Sequence, residues 1–307
     1  KLDEDEHMIS FDGEFSNPYS VTLNEIKSLP AKTLMVTLEC AGNGRVDIEP
    51  RSFSMPWKYG AVGTSEWKGT QLYPLLKEAS LNPQVADVAF TGADFGYDSG
   101  HKHNFARSLT LSQIRNLDPL LVYEMNGQPL LPQHGAPVRL IVPGWYGMAS
   151  VKWLKSITAL SQPFDGYQQI GTYRFRQTRD EIGEPITEMR VKSLMKPPGI
   201  PDWTTRKRLV RTGHNLLVGR AWSGGGKEII KVEVLIKNKW LEAQLEKQPA
   251  KYAWTKWTLD WLAYPGHYVL ACRATDEMGE VQPWTPDYNI GGFGNNSSQR
   301  VEVFVDG

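Results

Sequence analysis

In the second half of this chain, short stretches of alternating apolar and polar residues recur with turn residues between them. The clearest is residues 229–236, where Ile230, Val232, Val234 and Ile236 alternate with Lys231 and Glu233. A period of two sends successive side chains to opposite faces of a strand. Similar stretches lie at residues 216–222, 254–260, 268–275 and 300–305, beyond the proline-rich Pro197-Pro198-Gly199-Ile200-Pro201 and a strand-like 188–194. A run of short strands separated by turns predicts an antiparallel sandwich of roughly 100 residues.

The first half has a different grain. Thr22-x-x-Glu25 predicts a capping box for a short helix that Pro30 ends. A strand is expected at 33–40 and a helix at 71–80, where Leu72, Leu75, Leu76 and Ala79 fall at helical spacing. Residues 85–91 read as a strand, and 111–117 as a helix capped by Thr110 or Ser112. Residues 120–125 read as a strand running into an Asn126-Gly127 turn. Further strands are expected at 137–142 and 150–158, and Ser223-Gly224-Gly225-Gly226 reads as a hairpin turn. Strands and helices do not alternate regularly, which favours an α+β fold over a doubly wound sheet. With 307 residues, two domains are expected, at 1–184 and 185–307.

Composition excludes several classes. The formal net charge is zero, and no basic stripe of the kind that nucleic-acid binding needs is visible. No apolar run approaches the ~18 residues of a membrane span. Two cysteines, Cys40 and Cys272, make no disulfide framework.

Cys40 lies where the 33–40 strand meets the glycine-broken Cys40-Ala41-Gly42-Asn43-Gly44-Arg45. A thiol there, with an arginine nearby, reads either as a reactive thiolate and soft metal ligand or as a buried structural cysteine. Cys272, mid-strand in Leu270-Ala271-Cys272-Arg273-Ala274, reads as structural. In His134-Gly135-Ala136-Pro137-Val138-Arg139 the arginine falls among apolar neighbours. A cation so placed wants a bidentate anion or an internal carboxylate. Pro143-Gly144-Trp145-Tyr146-Gly147, followed by Ser150-Val151-Lys152-Trp153, offers backbone amides and a lysine to a phosphate. His101-Lys102-His103 places two histidines on one strand face, with no acidic or cysteine ligand beside them.

Taken in order, these segments resemble the sulfite oxidase family of molybdopterin enzymes, over nearly the whole chain. The family's Cys-Ala-Gly-Asn-Arg-Arg is matched by Cys40 to Arg45. Its His-Gly-x-Pro-Val-Arg, Val-Pro-Gly and Val-Lys-Trp-Leu are matched by His134 to Arg139, Val142-Pro143-Gly144 and Val151-Lys152-Trp153-Leu154. Gly63 to Gly69, Ala221 to Gly226 and Asn289 to Asn296 are also similar to family segments. The resemblance implies a molybdopterin-binding domain followed by an immunoglobulin-like domain with dimer contacts, so a homodimer. It implies Cys40 as the one protein ligand of molybdenum. It implies His134, Arg139 and Lys152 as holders of the cofactor's phosphate and pterin, with Ser150 and Val151 giving backbone contacts and Asp94 touching the pterin. Arg45 and Tyr173 would face the substrate.

The activity implied is oxidation of sulfite to sulfate by oxygen-atom transfer, with electrons passed to an external acceptor such as cytochrome c. No Cys-x-x-Cys-His haem motif is present in the sequence. Two departures stand out. Gly44 replaces the first arginine of the family's cysteine motif, and Gly291 stands where sulfite oxidases carry another pocket arginine. They keep open a sulfane-sulfur dehydrogenase or another oxygen-atom transfer. A cofactor-free adhesion or scaffold protein is the alternative of another class. Relatives of this type in bacteria are often exported, and the first residue, Lys1, is compatible with a removed leader; a periplasmic or otherwise exported location is the expectation.

Overall fold

The computed structural model of the chain describes residues 2–98 and 100–306, without the side chains of Asp98 and His101. It is mostly β, with a few short helices of which the longest have 7 residues. Helix content is thus smaller than the α+β expectation implies. The capping boxes explain where two of these helices start. Thr22 accepts from the Glu25 amide while Glu25 accepts from that of Thr22, and Thr110 and Gln113 do the same at Leu111–Leu117. Each box satisfies two amides that an isolated helix end leaves bare.

Two sheets build the first half. One has five strands in the order Tyr19–Thr22, Met8–Gly13, Leu154–Leu160, Asp87–Asp98, His101–Leu109. Within it Met8–Gly13 and Leu154–Leu160 run parallel, and the other pairs are antiparallel. The second sheet joins Ala31–Glu39, Val62–Gln71 and Leu120–Met125. Gln128–Pro129 and Arg139–Ile141 both pair with Leu120–Met125. Ile9, Phe11, Phe90, Leu140 and Ile157 come together in one buried core with Leu72, Leu75 and Leu76 of the Leu72–Glu78 helix.

Two further sheets build the second half. Lys192–Lys196, Gly213–Trp222, Thr255–Ala263 and Gln244–Leu245 form one. Ile200–Pro201, Arg208–Arg211, Arg300–Asp306, Gly266–Asp276, Ile229–Ile236 and Lys239–Glu242 form the other. Leu217 and Trp257 from the first meet Val232, Leu270 and Val303 from the second in a shared core. The alternation seen in the sequence is the cause: Val232 and Val234 are buried, while Ile230 on the other face is exposed. Cys272 is fully buried in this core and donates to the Ser193 carbonyl at 3.5 Å, as expected of a structural cysteine.

Two local expectations are corrected. Ser223–Gly226 is not a hairpin turn, because Gly213–Trp222 pairs with Lys192–Lys196 and Thr255–Ala263 while Ile229–Ile236 belongs to the other sheet. The glycines serve a close contact instead: the Gly225 amide donates to the Gly144 carbonyl at 3.3 Å, and a Cβ on Gly144, whose φ is +80°, would lie 2.7 Å from the Gly225 nitrogen. The strand expected at 150–158 begins only at Leu154. Residues 143–153 are irregular because Ser150 and Val151 spend their amides on local turns, donating to the Gly147 and Ala149 carbonyls at 3.1 and 3.2 Å.

Just before the Met8–Gly13 strand, His7 is buried and bonded through Nε2 to the Leu154 carbonyl at 2.8 Å. Burial lowers its pKa below the ordinary 6.5, and the hydrogen bond only partly opposes this. The unfolded chain therefore takes up a proton at a pH where the folded chain resists it. Stability should be steady above 6.5 for this group and fall as pH drops from 6.5 through the lowered folded value. Urea unfolding at about pH 7.5 and about pH 5.5 should show the loss, and a His7→Gln chain should show a smaller one.

Candidate active site

The site begins where the Ala31–Glu39 strand ends. Cys40 leaves the sheet with its amide donating to the Ala61 carbonyl at 2.9 Å, and its own carbonyl accepts from Asn43 at 2.9 Å. The resulting turn brings the Gly42 amide to 3.4 Å from the Cys40 sulfur. Gly44, at φ +85°, then starts a 3₁₀ turn over Arg45–Asp47. The thiol is exposed, unlike that of Cys272.

Cys40 opens on a cavity of about 500 Å³ whose wall also includes Asp94, Arg139, Ser150, Lys152 and Tyr173. These residues come from strands, turns and loops far apart in sequence. Arg139 is 6% exposed, and its guanidinium bonds the carbonyls of His134 at 2.9 Å and Ser150 at 3.0 Å. It also lies 5.0 Å from the Trp67 ring centre. No carboxylate pairs with it among the described residues. The internal salt bridge that the sequence left open is therefore not formed. Burial pushes the Arg139 pKa down to about 10. Lys152 donates to the Gln133 carbonyl at 3.1 Å and sits 4.0 Å from the Trp153 ring centre. Loss of water and then the nearby Arg139 charge lower its pKa, with Asp94 opposing. Asp94 is exposed at the rim, yet reduced hydration raises its carboxyl pKa, against the pull of Lys152.

Other expected residues stand differently. His134 lines a neighbouring cavity of about 650 Å³ with Leu130, Ala136 and Trp153, and its carbonyl braces Arg139. Val151 is buried in the core, and Ser150 Oγ accepts from the Val142 amide at 3.0 Å. Arg45 is buried behind the cavity wall. Its Nε donates to the Gly292 carbonyl at 3.1 Å, and its Nη1 to Ser54 Oγ at 3.1 Å and the Met55 carbonyl at 2.9 Å. The side chain threads between two glycines: a Cβ on Gly42 would fall 2.6 Å from Nη2, and one on Gly292 2.6 Å from Cγ. Burial lowers the Arg45 pKa, while the proximity of Cys40 and Tyr173 raises it. Tyr173 packs on Phe293 at 5.3 Å between ring centres.

Two features escaped the sequence. Arg107, 3% exposed, lies 5.9 Å from the Tyr173 ring centre, with its Nε unpartnered and burial pushing its pKa down to about 10. Glu39 and Lys192 form a buried ion pair at 2.8 Å beside Cys40. A polar face on the 33–39 strand, Thr37 and Glu39, was the available sign. For the histidines at 101 and 103, the His101 side chain lies outside the described residues.

The wall fits a large anionic cofactor. Among the described residues no group of three or more His, Cys, Asp or Glu gathers to hold a metal. A metal here would take Cys40 from the protein and the rest of its ligands from its own cofactor. Arg139 and Lys152 supply positive charge that no neighbouring carboxylate cancels at Arg139.

Comparison with known proteins agrees with this chemistry. Residues 1–168 match the family model for the oxidoreductase molybdopterin binding domain, and residues 184–306 that for the Mo-co oxidoreductase dimerisation domain. The chain belongs to the sulfite oxidase family of molybdopterin oxidoreductases, and molybdopterin is the cofactor of that family's domain. It is 33% identical to the mitochondrial sulfite oxidase of Rattus norvegicus over 93% of this chain and 55% of that protein. It is 30% identical to an NADH nitrate reductase of Oryza sativa subsp. japonica over 95% of this chain and 35% of that protein. The chain thus spans about half or less of these curated relatives. The crystal structure of the sulfane dehydrogenase SoxCD from Paracoccus pantotrophus superposes with a TM-score of 0.84 at 25% identity, covering 98% of this chain and 76% of that one.

The cationic wall should bind simple anions in the cofactor-free chain. Inorganic phosphate at ~10 times its dissociation constant should stabilise the fold by about 1.4 kcal/mol. A thermal-shift titration should show this, and Lys152→Gln should weaken it. Equal stabilisation of the variant would argue against Lys152 as an anion contact.

Proposed function

We propose that this chain is the catalytic part of a molybdenum-dependent enzyme that oxidises sulfite to sulfate and passes the electrons to an external acceptor such as cytochrome c. The observation that carries it is the exposed Cys40 thiol on a cavity whose buried Arg139 has no carboxylate partner among the described residues. When bound, the molybdenum–pterin group supplies the two-electron oxygen-atom transfer. Cys40 serves as the thiolate ligand, a soft donor suited to such a centre. Arg139 and Lys152 hold the cofactor's anionic parts, with His134 bracing Arg139 through its carbonyl. Asp94 adds a polar contact at the rim. Tyr173 presents its hydroxyl to substrate or product, and Arg45 contributes positive field from behind the wall. Ser150 lines the cavity and Val151 is buried beside it, with both amides already bonded within the chain; any backbone contact they give the cofactor comes from their remaining groups.

A second reading is favoured by particular positions. Gly44 and Gly291 stand where the family pattern implies arginines, and Arg45 is held by Gly292, Ser54 and Met55. A sulfane-sulfur dehydrogenase, with a larger and less charged substrate, suits such a pocket, and the likeness to SoxCD supports it.

The remaining assignments belong to the same proposal. We place the domain division at 184/185, read the second half as an immunoglobulin-like sandwich, and take two copies to associate through it. The match to a dimerisation domain supports the last point, as do Leu216, Leu262 and Tyr264 left exposed on that half.

Molybdenum-loaded protein should turn over sulfite with cytochrome c or ferricyanide as acceptor. Inactivity on sulfite together with turnover of a sulfane-sulfur compound selects the second reading. Cys40→Ser should fold and retain the pterin but lose nearly all turnover, since a serine oxygen is a harder ligand; near-normal steady-state rates would rule out Cys40 as the ligand.

A further inference from the structure

The loop that carries Cys40 is held by the other half of the molecule. Lys192 opens the Lys192–Lys196 strand of the second half and is 1% exposed. Its ammonium donates to Glu39 Oε1 at 2.8 Å, to the Asn43 carbonyl at 3.0 Å and to the Asn295 carbonyl at 2.6 Å. Three donors meet three acceptors, which is the full capacity of an ammonium group. Glu39, also 1% exposed, accepts from Asn43 Nδ2 at 2.9 Å and, on its other oxygen, from Trp222 Nε1 at 2.9 Å. Asn295 Nδ2 donates to the Gly44 carbonyl at 2.7 Å. Glu39 immediately precedes Cys40 and Asn43 follows it by three positions, so one ammonium grips both ends of the turn that bears the thiol.

Stability alone is a poor reason for this arrangement. Apolar groups of similar volume often replace a buried ion pair with no loss of stability, because desolvation offsets the attraction. What charged, fully bonded groups add is a single allowed geometry. We propose that Lys192 is a positioning residue, acting with Glu39 and Asn295 to fix the Cys40 turn against the cavity. The second half then shapes the catalytic centre, beyond any part it has in dimerisation. The inference rests on the reading of Cys40 as the cofactor ligand.

The test labels the full chain, prepared without cofactor, with iodoacetamide. Cys40 is exposed and Cys272 buried, so mass spectrometry reads Cys40 alone. Glu39→Gln combined with Lys192→Met removes both charges together and leaves neither buried unpaired. Asn296→Ala is the control, since Asn296 Nδ2 bonds the Val191 carbonyl at 3.0 Å, within the second half. The double variant should keep a cooperative thermal transition and label roughly tenfold faster than the parent, because charge-assisted bonds to the turn are lost. Holoenzyme carrying the same changes should lose molybdenum faster on dialysis. Asn296→Ala should label at the parental rate. A parental labelling rate in the double variant, or equal acceleration by Asn296→Ala, overturns the proposal. If the double variant does not fold, Lys192→Arg takes its place with the same two outcomes, because it keeps the charge and changes the donor geometry. Labelling needs no metal, so its failure is separate from a failure of the Cys40→Ser test.

Discussion

Much of this molecule depends on a dry polar seam between its halves, centred on the Glu39–Lys192 pair. Taking a carboxylate and an ammonium out of water costs about several kcal/mol per ion, so the seam persists only if every donor and acceptor is met. They are met from both sides: Asn43 from the first half, Trp222 and Asn295 from the second. The same seam contains the Gly144–Gly225 backbone contact and the Arg45 side chain lodged between Gly42 and Gly292. These contacts admit no bulkier residue at those glycines without displacement of a neighbour. The Cys40 turn is set within this frame.

Above the seam, charge is left deliberately unbalanced. Elsewhere, cations such as Lys68 and Arg273 pair with carboxylates. At the cavity, Arg139 is braced by carbonyl oxygens and a Trp67 ring. Carbonyls hold a guanidinium in place without cancelling its charge. Such a wall favours a polyanionic group over a neutral one, and it does so by geometry already present. Arg107, 5.9 Å from the ring centre of Tyr173, adds a second buried guanidinium near that wall residue.

The positions that separate the two substrate readings are also physical. Glycine at 44 and 291, where the family resemblance implies arginine, brings neither charge nor side-chain volume. Arg45 is present, but its Nε and Nη1 are spent on Gly292, Ser54 and Met55, while Nη2 lies against Gly42. A site built this way relies less on gripping a small dianion directly.

The sequence by itself determined several of the strands, two short helices, the family and the candidacy of Cys40, Arg139 and Lys152 for the site. These were legible because they depend on local patterns: a period of two, a Thr-x-x-Glu box, apolar residues at helical spacing, and motifs whose members lie within a few residues. Only the tertiary structure decided where the strand after Lys152 begins, because the Ser150 and Val151 amides turn back on Gly147 and Ala149. It alone showed that Ser223–Gly226 crosses between sheets, since pairing partners lie far away in sequence. It alone brought Lys192 to Glu39 and Gly292 to Arg45. A lysine in a strand reads as a solvated face until the partner that buries it is known, and that partner is 153 positions away in the chain.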